Sequence, residues 1–238
     1  MKIALLGYGK MGKAIAALAE AAGDEVVLRI GSGNISELTI EALQQADVAV
    51  EVSRPETAFD HITLCLEAGV PVVCGTTGWL DRLEEAVALC TDKEGALLYA
   101  SNFSIGVNLF FALNKRLAEL MERQPQYDPS ILEIHHTQKL DAPSGTAISL
   151  AQDILDRLSR KSEWVNGEAA SPDELGIISI REGQVPGTHE VLYQSAIDTI
   201  SIRHEAHSRE GFARGALLAA HWIVGKKGFF SMSDVLEI

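Results

Sequence analysis

Short apolar runs alternate with helix-period segments over the first hundred positions of the chain. Residues 2–6, 25–30, 47–53, 71–74 and 96–100 read as strands. Between them, residues 11–22, 56–67 and 80–91 carry apolar positions at helical spacing, and 35–45 does so weakly. Nearly continuous apolar strands separated by helices predict a parallel sheet covered on both faces.

After residue 100 the pattern changes. A long amphipathic helix is predicted over 107–121, a strand over 130–135 and a helix over 146–160. Strand-like runs at 176–181, 189–194 and 199–204 then follow one another with turn residues between them, and a helix over 209–226 comes last. Successive strands without intervening helices predict a second, mixed or antiparallel sheet. The 159–172 stretch reads as a polar surface loop.

Composition narrows the function classes. The 238 residues are 47% hydrophobic, ample for a substantial core, and carry a formal net charge of −13 without a basic block. A nucleic-acid or anionic-membrane surface is therefore not expected. No apolar run approaches a membrane span, and the chain opens on a strand pattern without a signal-peptide layout, so a cytoplasmic location is expected. Cys65, Cys74 and Cys90 have neither metal-ligand nor disulfide-framework spacing, and read as small buried hydrophobes in a reducing compartment.

Gly7-Tyr8-Gly9-Lys10-Met11-Gly12 fits G-x-G-x-x-G at the first strand–helix junction. The first glycine permits the turn, the second lets a pyrophosphate approach the backbone, and the third lets helix and strand pack closely. A dinucleotide cofactor is expected there. The acidic residue that would bond the adenosine ribose some twenty positions on is missing from Leu28-Arg29-Ile30-Gly31-Ser32-Gly33-Asn34. Arg29 and Ser32 could accommodate a 2′-phosphate, or Arg29 is a solvated strand end; on the first reading NADPH serves at least as well as NADH. Gly75-Thr76-Thr77-Gly78 and Ala100-Ser101-Asn102-Phe103-Ser104 follow the fourth and fifth strands, where carboxyl ends of parallel strands open onto a ligand crevice.

The densest chemistry lies in Glu133-Ile134-His135-His136-Thr137-Gln138-Lys139-Leu140-Asp141-Ala142-Pro143-Ser144-Gly145-Thr146-Ala147. Imidazole shuttles protons near neutral pH, an ammonium donates a proton or holds a carboxylate, and a helix mouth after Ser-Gly-Thr offers N–H groups to an anion. Adjacent strand residues point to opposite sides, so His135 and His136 together make a poor metal pair, and no metal is expected. His61, His189 and His221 lack a chemical setting and read as structural. Arg209 beside Ser208 opens the last helix, as a carboxylate contact or a solvated side chain. A nucleophile elbow, a Walker loop and a catalytic Cys–His context are all missing from the sequence.

These segments, with Ser-Asn-Phe-Ser-Ile-Gly-Val-Asn at 101–108, occur in the order that resembles the 4-hydroxy-tetrahydrodipicolinate reductases, the bacterial dihydrodipicolinate reductase family. Residues 183–190 and 203–209 also resemble family segments, so the likeness spans essentially the whole chain. It implies an α/β fold: an N-terminal Rossmann doubly wound sheet (1–103 plus 210–238) and an inserted mixed-sheet α+β domain (104–209) for substrate and homotetramer assembly. It implies reduction of a cyclic dicarboxylate in the diaminopimelate route to lysine, with NADPH and/or NADH. His135 resembles the proton donor/acceptor and Lys139 the second donor. His136, Gly145 and Thr146, and more weakly Arg209, resemble substrate contacts. Gly7 through Gly12, Gly75, Thr76, Thr77, Ala100, Ser101, Asn102 and Phe103 resemble nucleotide contacts. Gly31 departs from the acidic residue common at that place and bears on cofactor preference. The competing readings are another two-domain Rossmann reductase and a non-catalytic cofactor sensor.

Overall fold

In the computed structural model, which describes residues 1–208 and 210–238, the chain divides into two units, 1–105 with 210–238 and 106–209. The first unit runs β1 (Lys2–Leu6), α1 (Lys10–Ala21), β2 (Glu25–Ile30), α2 (Ile40–Leu43), β3 (Val48–Glu51), α3 (Pro55–Glu67), β4 (Val72–Cys74), α4 (Leu83–Asp92) and β5 (Ala96–Tyr99). The second holds most of α5 (Ile105–Met121), then β6 (Asp128–His135), α6 (Gly145–Leu155), β7 (Glu163–Asn166), β8 (Glu174–Arg181), β9 (Thr188–Gln194) and β10 (Thr199–Glu205). The chain returns to the first unit with α7 (Glu210–Ile223), β11 (Gly228–Phe230) and α8 (Met232–Leu236).

The first unit is a six-stranded parallel sheet of order β11-β5-β4-β3-β1-β2, the doubly wound architecture that the strand–helix alternation predicts. Its inner strands β1, β3, β4 and β5 are buried on both faces. Ile3, Leu5, Val48, Val50 and Leu98 pack against α1 and the alanine face of α7, while Ala4, Leu6, Val72 and Leu97 pack against α3 and α4. The small residues of α7 have a reason: a Cβ at Gly215 would come within 1.7 Å of the Phe103 carbonyl oxygen.

The second unit is a five-stranded mixed sheet of order β10-β9-β6-β8-β7, with β6 antiparallel to β9 and parallel to β8. Alternation along β6 sends Ile131, Glu133 and His135 into the interior. The α5 and α6 residues Phe110, Ala118, Leu150 and Ile154 cover that face beside Ile131, Ile177, Val191 and Tyr193.

Several boundaries differ from the sequence pattern. The predicted 35–45 helix resolves into a 3-10 turn at Ile35–Glu37 and the short α2, since β-branched and polar residues there give little helical drive. The 159–172 stretch is not wholly loop: it contains edge strand β7, whose half-exposed residues carry a weak hydrophobic signal. The 146–160 helix stops at Leu155, and β11, too short for a periodicity signal, closes the edge of the first sheet. No helix among the described residues is long and apolar enough to cross a membrane.

Candidate active site

Two sets of residues carry chemistry, one in each unit. In the first, the glycines at the β1–α1 junction behave as a dinucleotide turn requires. Gly7 has φ +109°, and a Cβ there would lie 2.3 Å from the Val52 carbonyl oxygen; at Gly12 a Cβ would lie 2.1 Å from the Gly7 carbonyl oxygen. At Gly9 nothing lies within 4 Å of that position, leaving the backbone open to a ligand. Gly9 caps α1 without a side-chain hydrogen bond, and the first turn has no acidic residue, so its N–H groups and dipole suit a pyrophosphate. Beside it lies a cavity of about 280 Å³ lined by Met11, Ser53, Gly75, Thr76, Thr77, Ser101, Asn102 and Phe103, among others. Seven of the predicted nucleotide residues thus share one pocket, and Ala100 is buried next to it in sequence.

Behind this pocket lies a buried network that sequence reasoning did not foresee. The Glu51 carboxylate, fully buried at the end of β3, accepts from the Ser53 N–H at 3.0 Å, from the Ser53 hydroxyl and from Cys74 Sγ at 3.3 Å. His61 approaches it at 3.4 Å, so this histidine has a polar setting after all. Burial would raise the Glu51 carboxyl, but these hydrogen bonds outweigh it and hold the group below its ordinary range. Burial pushes the Cys65 and Cys74 thiols far up, which makes both inert at neutral pH. The Thr76 hydroxyl is buried close to Glu51 and makes no well-directed hydrogen bond with a described residue. Arg29 instead points its guanidinium at Glu20 (2.6 Å) and the Val26 carbonyl (2.7 Å).

In the second unit the strand registers assemble the other set. Glu133 lies opposite His189 across the β6–β9 pair, and His135 is in register with Arg181 across β6–β8. Arg181 Nη2 donates to Glu133 Oε1 at 2.8 Å and to the Asp141 carbonyl at 2.6 Å. Glu133 Oε2 lies 2.5 Å from His135 Nδ1, oblique to the ring N–H, and neither atom has another partner among the described residues. The Ser144 N–H donates to Glu133 Oε1 at 3.2 Å. Burial alone would raise the Glu133 carboxyl, but His135 and Arg181 overcome that and hold it well below the usual carboxylate range.

Ser144 is the N-cap of α6: its hydroxyl accepts from the Ala147 N–H at 3.2 Å and meets His189 Nε2 at 3.1 Å. Gly145 is exposed and Thr146 half-buried at the helix mouth, with no acidic residue in the first turn, so this end suits an anion. Lys139 Nζ donates to both Asp141 carboxylate oxygens at 2.8 Å. His136 follows β6 and is half-buried; Arg209 lies outside the described residues.

His189, read as structural from the sequence, belongs to this cluster: its ring stands edge-on to His135 at 5.1 Å. Glu133 and Arg181 were likewise missed. The signal was available, because the i, i+2 spacing puts Glu133 on the same strand face as His135. His221, by contrast, pairs with Asp24 in the first unit at 2.8 Å, a structural role.

Glu133, His135 and His189 bring three ligand atoms within 4.8 Å of one another. The 2.5 Å contact between Glu133 and His135 is nevertheless shorter than the roughly 3.3 Å between two ligands of a tetrahedral zinc ion. Arg181 also holds the other oxygen of Glu133. The arrangement fits a carboxylate–imidazole dyad better than a metal centre.

Burial, and then the neighbouring His135, push His189 down to about 4, so it is neutral at pH 7. An unfolded histidine takes up its proton near pH 6.5, which the folded chain refuses until pH falls to about 4. Folding stability is therefore undiminished above that window and declines as pH drops through it, by on the order of 3 kcal/mol over its whole width. Urea midpoints measured between neutral and acidic pH should follow this slope, and the His189→Gln variant should flatten it; an unchanged slope would contradict the buried neutral assignment.

Comparison with known proteins decides the family. The N-terminal model of dihydrodipicolinate reductase matches residues 1–103 and its C-terminal model residues 106–236. The chain belongs to the dihydrodipicolinate reductase family. Its members are NAD(P)H-dependent oxidoreductases, and the N-terminal domain is the nucleotide-binding one. The 4-hydroxy-tetrahydrodipicolinate reductase of Christiangramia forsetii is 48% identical over 100% of this chain and 98% of its own length. That of Chromobacterium violaceum is 41% identical over 86% of this chain and 78% of its own. A dipicolinate-bound dihydrodipicolinate reductase from Paenisporosarcina sp. TG-14 superposes with a TM-score of 0.77 at 27% identity, covering 97% of each chain.

Proposed function

We propose that the chain reduces 4-hydroxy-tetrahydrodipicolinate to tetrahydrodipicolinate with NADPH or NADH, in the diaminopimelate route to lysine. The observation that carries this reading is the second-unit cluster: a carboxylate-held imidazole, an ammonium and an open helix mouth joined through Arg181 and Ser144. The substrate is a cyclic dicarboxylate that loses water to give a conjugated imine. The bound nicotinamide supplies a hydride to that imine, which places negative charge on the ring system. In this reading His135 and Lys139 hold the proton that quenches the charge. Gly145, Thr146 and His136, with Arg209, bind the carboxylates; fixed positive groups and N–H dipoles lower the barrier by facing charge as it develops. The Gly7–Gly12 turn and the pocket of Gly75, Thr76, Thr77, Ala100, Ser101, Asn102 and Phe103 hold the nucleotide.

Freshly generated substrate should trigger NAD(P)H oxidation by the purified chain, followed by loss of nicotinamide absorbance. A chain that binds NADPH without ever oxidising it would instead favour a cofactor sensor. Residues 31–34 after β2 include no carboxylate, although Glu37 accepts from the Asn34 side chain at 2.9 Å beside them; use of NADPH at least as well as NADH belongs to the same proposal. With Arg29 already paired to Glu20, Arg29→Ala tests whether that side chain contributes.

Assembly as a homotetramer in the cytoplasm belongs to the same proposal. The sheet face opposite α5 and α6 presents Leu132, Ile134, Ile178, Ile180 and Leu192, all partly exposed, on neighbouring strands. Such a stripe is an interface feature rather than a solvated surface. Sedimentation of the Ile178→Asp variant should give a smaller species than the parent chain; an unchanged mass would remove this face from the assembly.

A further inference from the structure

We propose that Glu133, braced by Arg181, is the positioning residue of the proton-transfer site, setting at once the tautomer of His135 and the mouth of α6. The inference rests on the roles given above to His135 and the α6 turn. A fully buried carboxylate on a strand face is costly unless paired, so its partners reveal what holds it there. Each leads to a functional part. One oxygen lies 2.5 Å from His135 Nδ1, and the other accepts from the Ser144 N–H at 3.2 Å and from Arg181 at 2.8 Å. The same Arg181 nitrogen grips the carbonyl of Asp141, whose carboxylate binds Lys139. A shift of this one carboxylate would therefore move the imidazole, the anion turn and the ammonium together.

The chemistry of the contact assigns the direction. A neutral imidazole carries one ring proton, and a carboxylate beside Nδ1 keeps it on that nitrogen. Nε2 is then the atom that accepts or delivers a proton. A side chain at position 187 would crowd it: a Cβ at Gly187 would come within 3.0 Å of His135 Nε2. The bland alternative is that Glu133 and Arg181 only cross-link β6 and β8.

Two variants of the full chain separate these readings. Replacing a buried ion pair by apolar groups of similar size commonly preserves the fold, so E133M/R181M removes the cross-link and the carboxylate together. E133Q keeps the shape and removes only the charge. Both are compared with the parent chain for substrate turnover, for NADPH affinity by fluorescence, and for the His135 tautomer by nitrogen-15 NMR of labelled histidine. The expected result is kcat lowered about 10- to 100-fold in each, the usual cost of removing such a partner, with NADPH affinity retained. The His135 signals should change from a single Nδ1–H form to a mixture of tautomers in E133M/R181M. Turnover within about twofold of the parent, with the tautomer unchanged, would overturn the proposal. A parent chain that fails to reduce the substrate would count against the functional reading alone, since the tautomer comparison still decides the positioning role.

Discussion

Replacing His135 or Lys139 by alanine is expected to lower turnover by roughly a hundredfold or more, the scale of lost general acid–base catalysis. The two residues should fail differently. His135 is buried on the strand face with its ring braced by Glu133, so the alanine variant leaves a small void and a carboxylate facing Arg181 without the imidazole. Its loss should appear in kcat. Lys139 is a partly exposed ammonium paired with Asp141 in a turn, so its removal releases a carboxylate beside the segment proposed to bind substrate. Its loss should appear in KM as well as kcat, because an unpaired Asp141 would repel a dicarboxylate. Nicotinamide nucleotide affinity, measured by fluorescence titration, should be unchanged in both, since the nucleotide turn lies in the other unit. Near-normal turnover in both variants would remove them from the chemistry.

A second large effect is expected from a single methyl group in the first unit. In Gly12→Ala the new Cβ would sit 2.1 Å from the Gly7 carbonyl oxygen, a contact with backbone that no rotamer change relieves. The first turn of α1 and the β1 end must separate, which costs about 2–3 kcal/mol in overpacking and strain. It also opens the N–H cradle meant for the pyrophosphate. The urea midpoint should fall, and NADPH affinity should drop at least about tenfold, the equivalent of some 1.4 kcal/mol. Gly9→Ala is the informative control: nothing lies within 4 Å of its Cβ, so stability should hold while nucleotide binding weakens. Native-like affinity in both variants would contradict the assignment of this turn.

The contrast between these sites explains what was legible in the sequence. The parallel sheet was readable because its inner strands are buried on both faces and appear as unbroken apolar runs, as in Ile3 to Leu6 and Val48 to Val50. The glycine turn was readable because its steric demands fall on consecutive residues. Strand β7 was not, since an edge strand with half-exposed Trp164 and Val165 carries neither alternation nor a run. The same limit hid part of the second-unit cluster. His135, Lys139 and Ser144 to Thr146 are close along the chain, whereas Arg181 and His189 reach Glu133 only through the pairing of β6 with β8 and β9. Registers are tertiary information, and a lone histidine at 189 looks like any buried histidine. Glu133 was in plain view two residues before His135, but a glutamate gains a role only once its buried partners are known.

The most direct test of the account follows the hydride. Nicotinamide cofactor carrying deuterium at C4 of the dihydropyridine ring, on the face from which hydride leaves, is supplied with freshly generated substrate in ordinary water, and the product is examined by mass spectrometry. The expected product is tetrahydrodipicolinate bearing a single deuterium from the cofactor, with His135→Ala forming the same labelled product far more slowly. Product without the label, or oxidised cofactor without product, would contradict it.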